Sequence, residues 1–184
     1  MTALLVYFFI ALVVSFLCSL LESVLLSVSH AHIAVLVKEG SKRGNLMFSL
    51  KENINRPLSA ILTINTIANT VGAAGVGAQT YSVFGSSWVA ISSIILTLSI
   101  LFFSEIIPKT LGANYTKSLV GFTAYMISIL IFLVFPMVFI GEKISKILSR
   151  DSQDNSKASR AELIAMAELS EDEGAIDSQE GDII

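Results

Sequence analysis

The stretch SFLCSLLESVLLS, residues 15–27, places a carboxylate, Glu22, inside a long apolar run. Serines recur in it at every fourth position: Ser15, Ser19, Ser23 and Ser27. With about 100° of rotation per helical residue, each serine is displaced by about 40° from the one before. The serines therefore follow one helix face, with Glu22 beside its end. The stretch predicts a helix that is apolar on most sides and rich in oxygen atoms on one.

The composition around this stretch is that of an integral membrane protein. Of the 184 residues, 53% are hydrophobic and only 15% are charged, which is too apolar for a soluble domain of this length. A membrane-spanning helix needs about 20 apolar residues. Stretches of that length lie at residues 3–28, 57–80, 87–107 and 118–140.

A charged side chain inside the first stretch needs a partner. A carboxylate at membrane depth costs roughly 2.5–3.5 kcal/mol, so Glu22 should face protein, water or a cation. The serines have a simpler alternative role, because small hydroxyl residues also allow close helix packing and bond back to their own helix.

Two segments rich in lysine and arginine, residues 29–56 and 141–160, determine the predicted topology. Cytoplasmic loops carry an excess of these residues. Three crossings put both segments in the cytoplasm with the N-terminus outside the plasma membrane. We therefore predict spanning helices at residues 3–28, 87–107 and 118–140.

The remaining apolar stretch, residues 57–80, is predicted to be a re-entrant or juxtamembrane helical element. Its glycines and amides suit backbone that leaves helical geometry where protein or water surrounds it. The alternative is an ordinary spanning helix with a glycine-rich packing face. Residues 29–56 between the first two stretches mix apolar and basic residues, which is typical of helices along the cytoplasmic surface.

The chain changes character after residue 141. Ser159 and Glu162 have the spacing of a capping box, which predicts a short acidic helix. We assign residues 1–141 to a transmembrane domain, 142–158 to a linker and 159–184 to the start of an acidic cytoplasmic helical bundle, truncated before a further domain. The predicted fold class is an all-α integral membrane protein.

The stretch FFSEIIPKTLG, residues 102–112, carries a second acid beside a proline. Pro108 lacks an N–H, so the carbonyl of Ser104 loses its helical partner next to Glu105. Gly112 allows the chain that follows to turn sharply. A carbonyl, a hydroxyl and a carboxylate then lie together as oxygen ligands. The simpler alternative is an ion pair between Glu105 and Lys109, four residues later.

The element at 57–80 adds amides to this set. Asn65 and Asn69 are four residues apart, so they share one helix face. Polar groups on interrupted helices at the midplane are how transporters build ion sites. Oxygen donors without a thiol or histidine cluster suit Mg2+, Ca2+ or Na+, and the chain has one cysteine and two histidines.

Four motifs together resemble the membrane domain of the cyclin M (CNNM)/CorC magnesium transporters. They are LES…LLSVS, INTIANT, SEIIPKTLG and SRAEL…EDEGAI, in that order along the chain. The resemblance implies a homodimer in the lipid bilayer whose protomers carry three spanning helices and one re-entrant or juxtamembrane element. It also implies an acidic bundle and a following pair of CBS domains that bind ATP, and export of Mg2+ in exchange for Na+.

The resemblance also implies a set of cation ligands. The ligands are Ser23, Ser27, Asn65, Asn69, Glu105 and the backbone of Gly112. From the residues themselves we assign supporting roles to Glu22, Ser104, Pro108 and Lys109. Glu22 would serve as a structural acid or as a site for the coupling ion.

The leading functional hypothesis is thus a secondary transporter of Mg2+. The alternative is a membrane-anchored Mg2+ sensor that binds the ion without moving it. We expect no enzymatic activity, because no nucleophile and base accompany the two acids. The segment GSKRGN, residues 40–45, departs from P-loop spacing, so we expect no nucleotide site in this chain, and we expect no nucleic-acid partner.

Overall fold

The computed structural model describes residues 1–135, and every regular element in this range is helical. The helices are α1 (Thr2–Ser27), α2 (His30–Lys38), α3 (Lys42–Glu52), α4 (Asn55–Phe84), α5 (Val89–Ser99), α6 (Ile107–Asn114) and α7 (Thr116–Leu133). A 3-10 turn, Ser86–Trp88, precedes α5, and a π-helical segment, Ile100–Ile106, joins α5 to α6. The all-α class is confirmed. The predicted linker at 142–158 and acidic bundle at 159–184 lie outside the described residues.

Four stretches of helix in this range are long and apolar enough to cross a membrane, where we predicted three. They are Thr2–Ser27, Asn55–Phe84, Ser86–Asn114 and Thr116–Leu133. The first agrees with the predicted span at 3–28. The third continues past residue 107, where its prediction ended, and the fourth begins two residues before 118.

The stretch at 57–80 is helical, as predicted, but its backbone is not interrupted. It lies within α4, a helix of 30 residues, about 45 Å long. The glycines are used for contact with α1, since a Cβ at Gly72 would strike Ala11 and one at Gly75 would strike the Tyr7 ring. An unbroken helix also satisfies its own backbone in lipid. The glycines of α4 therefore form a packing face against α1, as in our alternative interpretation.

Pro108 does not end its helix, contrary to the prediction of a break there. It lies buried in the first turn of α6, directly after the π-helical segment, and the helix continues through it to Asn114. The irregularity lies upstream instead, in the π-helical segment that contains Ser104 and Glu105. Single π turns inside α-helices accommodate such disruptions and occur frequently at functional sites.

The hydrophobic core surrounds the C-terminal third of α1. Its largest fully buried side chains include Leu21, Leu25, Ile33, Met47 and Ile127. These residues come from α1, α2, α3 and α7, so the short basic helices and α7 pack around the same end of α1. Close packing of these side chains between the helices holds this end together.

Helix α7 runs beside the basic segment from one of its ends to the other. Its first residues share a cavity with Ser29 and His32 at the start of α2. In its middle, Gly121 lies against the Arg43 side chain. Near its end, Ser128 lines a cavity with Arg56. The length of α7 is therefore in contact with the basic end of the structure.

The ends of these helices are capped by polar groups. The Nζ of Lys51 donates to the carbonyl of Leu26, 3.4 Å away, at the C-terminal turn of α1, where carbonyls lack helical partners. Burial lowers the pKa of Lys51 below its ordinary value. Ser29 caps α2 by accepting the His32 N–H at 3.2 Å.

Gly40 and Gly85 have φ of 73° and 87°, which only glycine adopts easily, and they form the turns after α2 and α4.

Candidate cation site

Helix α6 is fastened to the polar face of α1 by a serine and a glycine. The Oγ of Ser23 donates to the carbonyl of Lys109 at 2.6 Å. A Cβ at Gly112 would lie 2.7 Å from the Ser23 Cβ and 3.0 Å from the Leu20 carbonyl oxygen. Gly112 is helical, so the sharp turn predicted for it is absent and its role is close approach. Its carbonyl, a predicted ligand, accepts the Thr116 hydroxyl at 2.7 Å.

The ion pair of Lys109 differs from the one considered from the sequence. Its Nζ lies 3.9 Å from Oε2 of Glu22 on α1, rather than beside Glu105 on its own helix. The side chains of Lys109 and Glu22 are 52% and 37% exposed, so water screens this pair. A small cavity of about 210 Å³ adjoins it, lined by Glu22, Ser23, Leu26, Ser27 and Lys109.

A larger polar cavity of about 500 Å³ lies next to this one, at the basic end. It is lined by Ser27, Ser29 and His32 and by residues 113–118 between α6 and α7. Ser27 contributes to both cavities. The polar space at the basic end therefore adjoins the cavity beside the Glu22 carboxylate.

Ser104 and Glu105 lie further along α1, near its middle. The Ser104 hydroxyl is fully buried and donates to the Leu12 carbonyl at 2.9 Å. Glu105 follows it and is partly buried. Among the described residues its carboxylate has no hydrogen-bond or ion-pair partner. The π-helical segment thus brings an unpaired acid to the level of residues 12–15 of α1.

The two predicted amides of α4 bond to each other. The Nδ2 of Asn69 donates to Oδ1 of Asn65 at 3.4 Å, which confirms that they share a face. Helix α4 is antiparallel to α1, because Gly72 meets Ala11 and Gly75 meets Tyr7. Asn69 precedes Gly72 by three residues, so it lies about one turn further along α1, at the level of Ser15.

Two oxygen atoms at this level are buried without a hydrogen-bond partner. They are Ser15 Oγ and Asn69 Oδ1. Ser15 is a residue that the prediction did not count as a ligand. In the sequence, Ser15 is marked only by its place in the serine repeat. That repeat is equally consistent with a role in helix packing. An unpaired buried oxygen destabilises the fold by about 1–3 kcal/mol. The two oxygens at this level are therefore candidate ligands for a cation.

The predicted ligands lie at two levels along α1. Ser23, Ser27 and Gly112 lie near Glu22 and Lys109 at the basic end. Asn65, Asn69 and Glu105 lie nearer the middle of α1. Ser15 and Ser23 are eight residues apart, about 12 Å along the helix.

The donor chemistry of both levels is that of hard oxygen ligands. Within residues 1–135 no three His, Cys, Asp or Glu side chains come close enough to hold a metal ion. A cation at the middle level would be held by one carboxylate, hydroxyls and amide oxygens. Such a set suits Mg2+, Ca2+ or Na+ rather than softer metals.

These features define the chain as a multi-pass helical membrane protein with polar side chains between its helices. Comparison with known proteins agrees: residues 6–180 match the family model described as cyclin M transmembrane N-terminal domain. The chain belongs to this family.

Relatives of the chain are found in bacteria and plants. A UPF0053 protein of Synechocystis sp. is 31% identical over 176 residues, covering 96% of this chain and 51% of the relative. The UPF0053 inner membrane protein YfjD of Escherichia coli is 24% identical over 129 residues, covering 70% of this chain and 30% of the relative. A chloroplastic DUF21 domain-containing protein of Arabidopsis thaliana is 25% identical over 139 residues, covering 73% of this chain and 21% of the relative. The chain thus spans about half, or less, of the length of these relatives.

Proposed function

We propose that this domain binds a hard divalent cation, Mg2+ in the first place, between α1, α4 and the π-helical segment, and moves it across the membrane. The observation that carries the proposal is the meeting of unpaired oxygens at one level. Ser15 Oγ and Asn69 Oδ1 are buried without partners, and Glu105 follows Ser104, whose hydroxyl bonds to the Leu12 carbonyl about one turn from Ser15. A cation at this level satisfies all three, which offsets the cost of burying them alone.

Mg2+ is favoured by the family resemblance and accepted by the ligand chemistry. Mg2+ gives up its water reluctantly, so we expect it to keep part of its hydration shell among one carboxylate and several neutral oxygens. Transport is driven by a Na+ gradient in this proposal, with Na+ entering as Mg2+ leaves. The domain is a transporter rather than an enzyme.

The proposed topology has the N-terminus outside the plasma membrane and three crossings, by α1, α4 and the helix Ser86–Asn114. It is supported by the position of α7, which contacts the basic helices at its start, middle and end. With α7 along the cytoplasmic surface, the basic segment 29–56 lies on the cytoplasmic side, as the charge rule requires. In this proposal α7, and not the stretch at 57–80, is the juxtamembrane element.

The functional unit is proposed to be a homodimer in the bilayer. On α4, Ala73 is exposed and a Cβ at Gly77 would meet nothing within 4 Å. These two small residues share a face and suit close packing against another helix in lipid. CBS domains are expected to follow in the complete protein and to add nucleotide regulation.

Calorimetric titration of the detergent-purified chain with Mg2+ tests the site. Glu105→Gln removes the charge and keeps the shape, and we expect it to weaken Mg2+ binding at least tenfold, the loss of a charged partner of about 1.5 kcal/mol or more. Glu39→Gln is the matched control, because Glu39 is exposed at the end of α2. Equal affinity in the wild-type chain and Glu105→Gln would remove Glu105 from the site.

Flux in liposomes separates transport from sensing. The chain is reconstituted with Mg2+ inside and a Na+ gradient across the membrane, and internal Mg2+ is followed with an indicator. Mg2+ movement that depends on the gradient and disappears in Glu105→Gln supports a Na+-coupled transporter. Binding without movement would identify a sensor.

A further inference from the structure

We infer that Lys109 is a tethered counter-cation for Glu22, which an incoming metal ion must displace on its way to the level of Glu105. This inference rests on the proposed function and adds a counter-cation role for Lys109 that the family resemblance does not specify. The incoming ion would meet the Glu22 carboxylate and the hydroxyl of Ser27, one of the ligands that the resemblance implies, at the basic end of α1.

The first support is the geometry of the pair. The ammonium of Lys109 lies 3.9 Å from a Glu22 oxygen, while the acid on its own helix face, Glu105, is left without a partner among the described residues. A lysine four residues after a glutamate ordinarily pairs with it. Here the contact of α6 with α1 directs Lys109 to the acid of the neighbouring helix.

The second support is the way α6 is held. The Ser23 hydroxyl bonds to the backbone carbonyl of Lys109 at 2.6 Å, and Gly112 lies against Ser23. The backbone of Lys109 is therefore fixed to α1, whereas its side chain is 52% exposed and free to turn away. This arrangement allows the ammonium to leave Glu22 without separating the helices.

The third support is access. The cavity of about 210 Å³ beside the pair is lined by Glu22, Ser27 and Lys109 among others. Ser27 also lines the polar cavity of about 500 Å³ at the basic end. A hydrated cation that enters from this end meets Glu22 before it reaches Glu105. The ammonium at Glu22 then repels the ion until it moves aside.

Mg2+ titration of side-chain variants tests the inference. Lys109→Met removes the charge, keeps the length and leaves the backbone bond of Ser23 intact. Removing the ammonium abolishes its repulsion of a divalent ion at Glu22, so we expect roughly tenfold tighter Mg2+ binding. Lys109→Arg should bind as the wild-type chain does. Lys42→Met, at an exposed position of α3, controls for the loss of one positive charge.

The partner of Lys109 is tested in a double-mutant cycle. In a Glu22→Gln background, Lys109→Met should no longer tighten binding. Unchanged or weaker binding in Lys109→Met would overturn the inference, as would equal tightening in the Glu22→Gln background. Binding that appears only in Lys109→Met would support it. Failure of every variant to bind Mg2+ would overturn it together with the proposed site, whereas loss of binding in Glu105→Gln alone concerns only the proposed site.

Discussion

Replacing Gly112 by alanine should loosen the contact between α1 and α6. The added Cβ would lie 2.7 Å from the Ser23 Cβ, 2.9 Å from its Oγ and 3.0 Å from the Leu20 carbonyl oxygen. Two of these neighbours are the Cβ and backbone of another helix, which cannot turn away as a flexible side chain does. Overpacking of this kind costs about 1–3 kcal/mol. Because these neighbours cannot move aside, we expect a cost near the upper end of that range.

A matched control separates this contact from the helix propensity of alanine. Gly→Ala inside a helix is worth about 1 kcal/mol in favour of folding, so Gly112→Ala should destabilise by about 2 kcal/mol net. Gly77 is also helical, and a Cβ there would meet nothing within 4 Å. Gly77→Ala should therefore be neutral or slightly stabilising.

The single cysteine of the chain provides the assay. Cys18 is 1% exposed in the core, so a thiol-reactive fluorogenic dye labels it when the helices separate on heating. At about 2–4 °C per kcal/mol for a chain of this size, Gly112→Ala should lower the unfolding midpoint by about 4–8 °C. An unchanged midpoint, or an equal loss in Gly77→Ala, would refute the packing role of Gly112.

Two further predictions use the same assay. Ser23→Ala removes the 2.6 Å bond to the Lys109 carbonyl and should cost about 1 kcal/mol, whereas Ser92→Ala, which removes only a bond to Val89 within α5, should have a smaller effect. An equal shift in both variants would contradict the role of Ser23 as a tie between helices. Burial lowers the pKa of Lys51. At pH values between the folded and the unfolded pKa of Lys51, the unfolded chain therefore binds more protons than the folded chain. The contribution of Lys51 to the free energy of unfolding then rises with pH. Lys51→Met should remove that rise and Lys42→Met should keep it; the same pH dependence in Lys51→Met and the wild-type chain would contradict this.

The helices and their polar faces were predictable because each depends on local periodicity. Apolar length located the stretches that contain α1, α4, α5 and α7, although we predicted the α4 stretch to be re-entrant. The i, i+4 spacing of Asn65 and Asn69 predicted their shared face, which their 3.4 Å bond confirms. The irregular helix near Glu105 was also predictable. Pro108 has no N–H to donate, and its ring clashes with the carbonyl of Ser104, four residues back. The form of this irregularity, a π-helical segment in a helix that continues to Asn114, was not predictable.

By itself the sequence determined that the chain is a helical membrane protein with oxygen donors on three segments. Only the tertiary structure decided which donors meet. Helix register is set where backbones approach closely, at Gly72 on Ala11 and at Gly112 on Ser23, and periodicity within one helix contains no information about its neighbour. That register places Asn69 and Glu105 at the level of Ser15, and Lys109 against Glu22 rather than Glu105. The physical reason is that a side chain's neighbours across an interface depend on packing between helices, which no single stretch of sequence specifies.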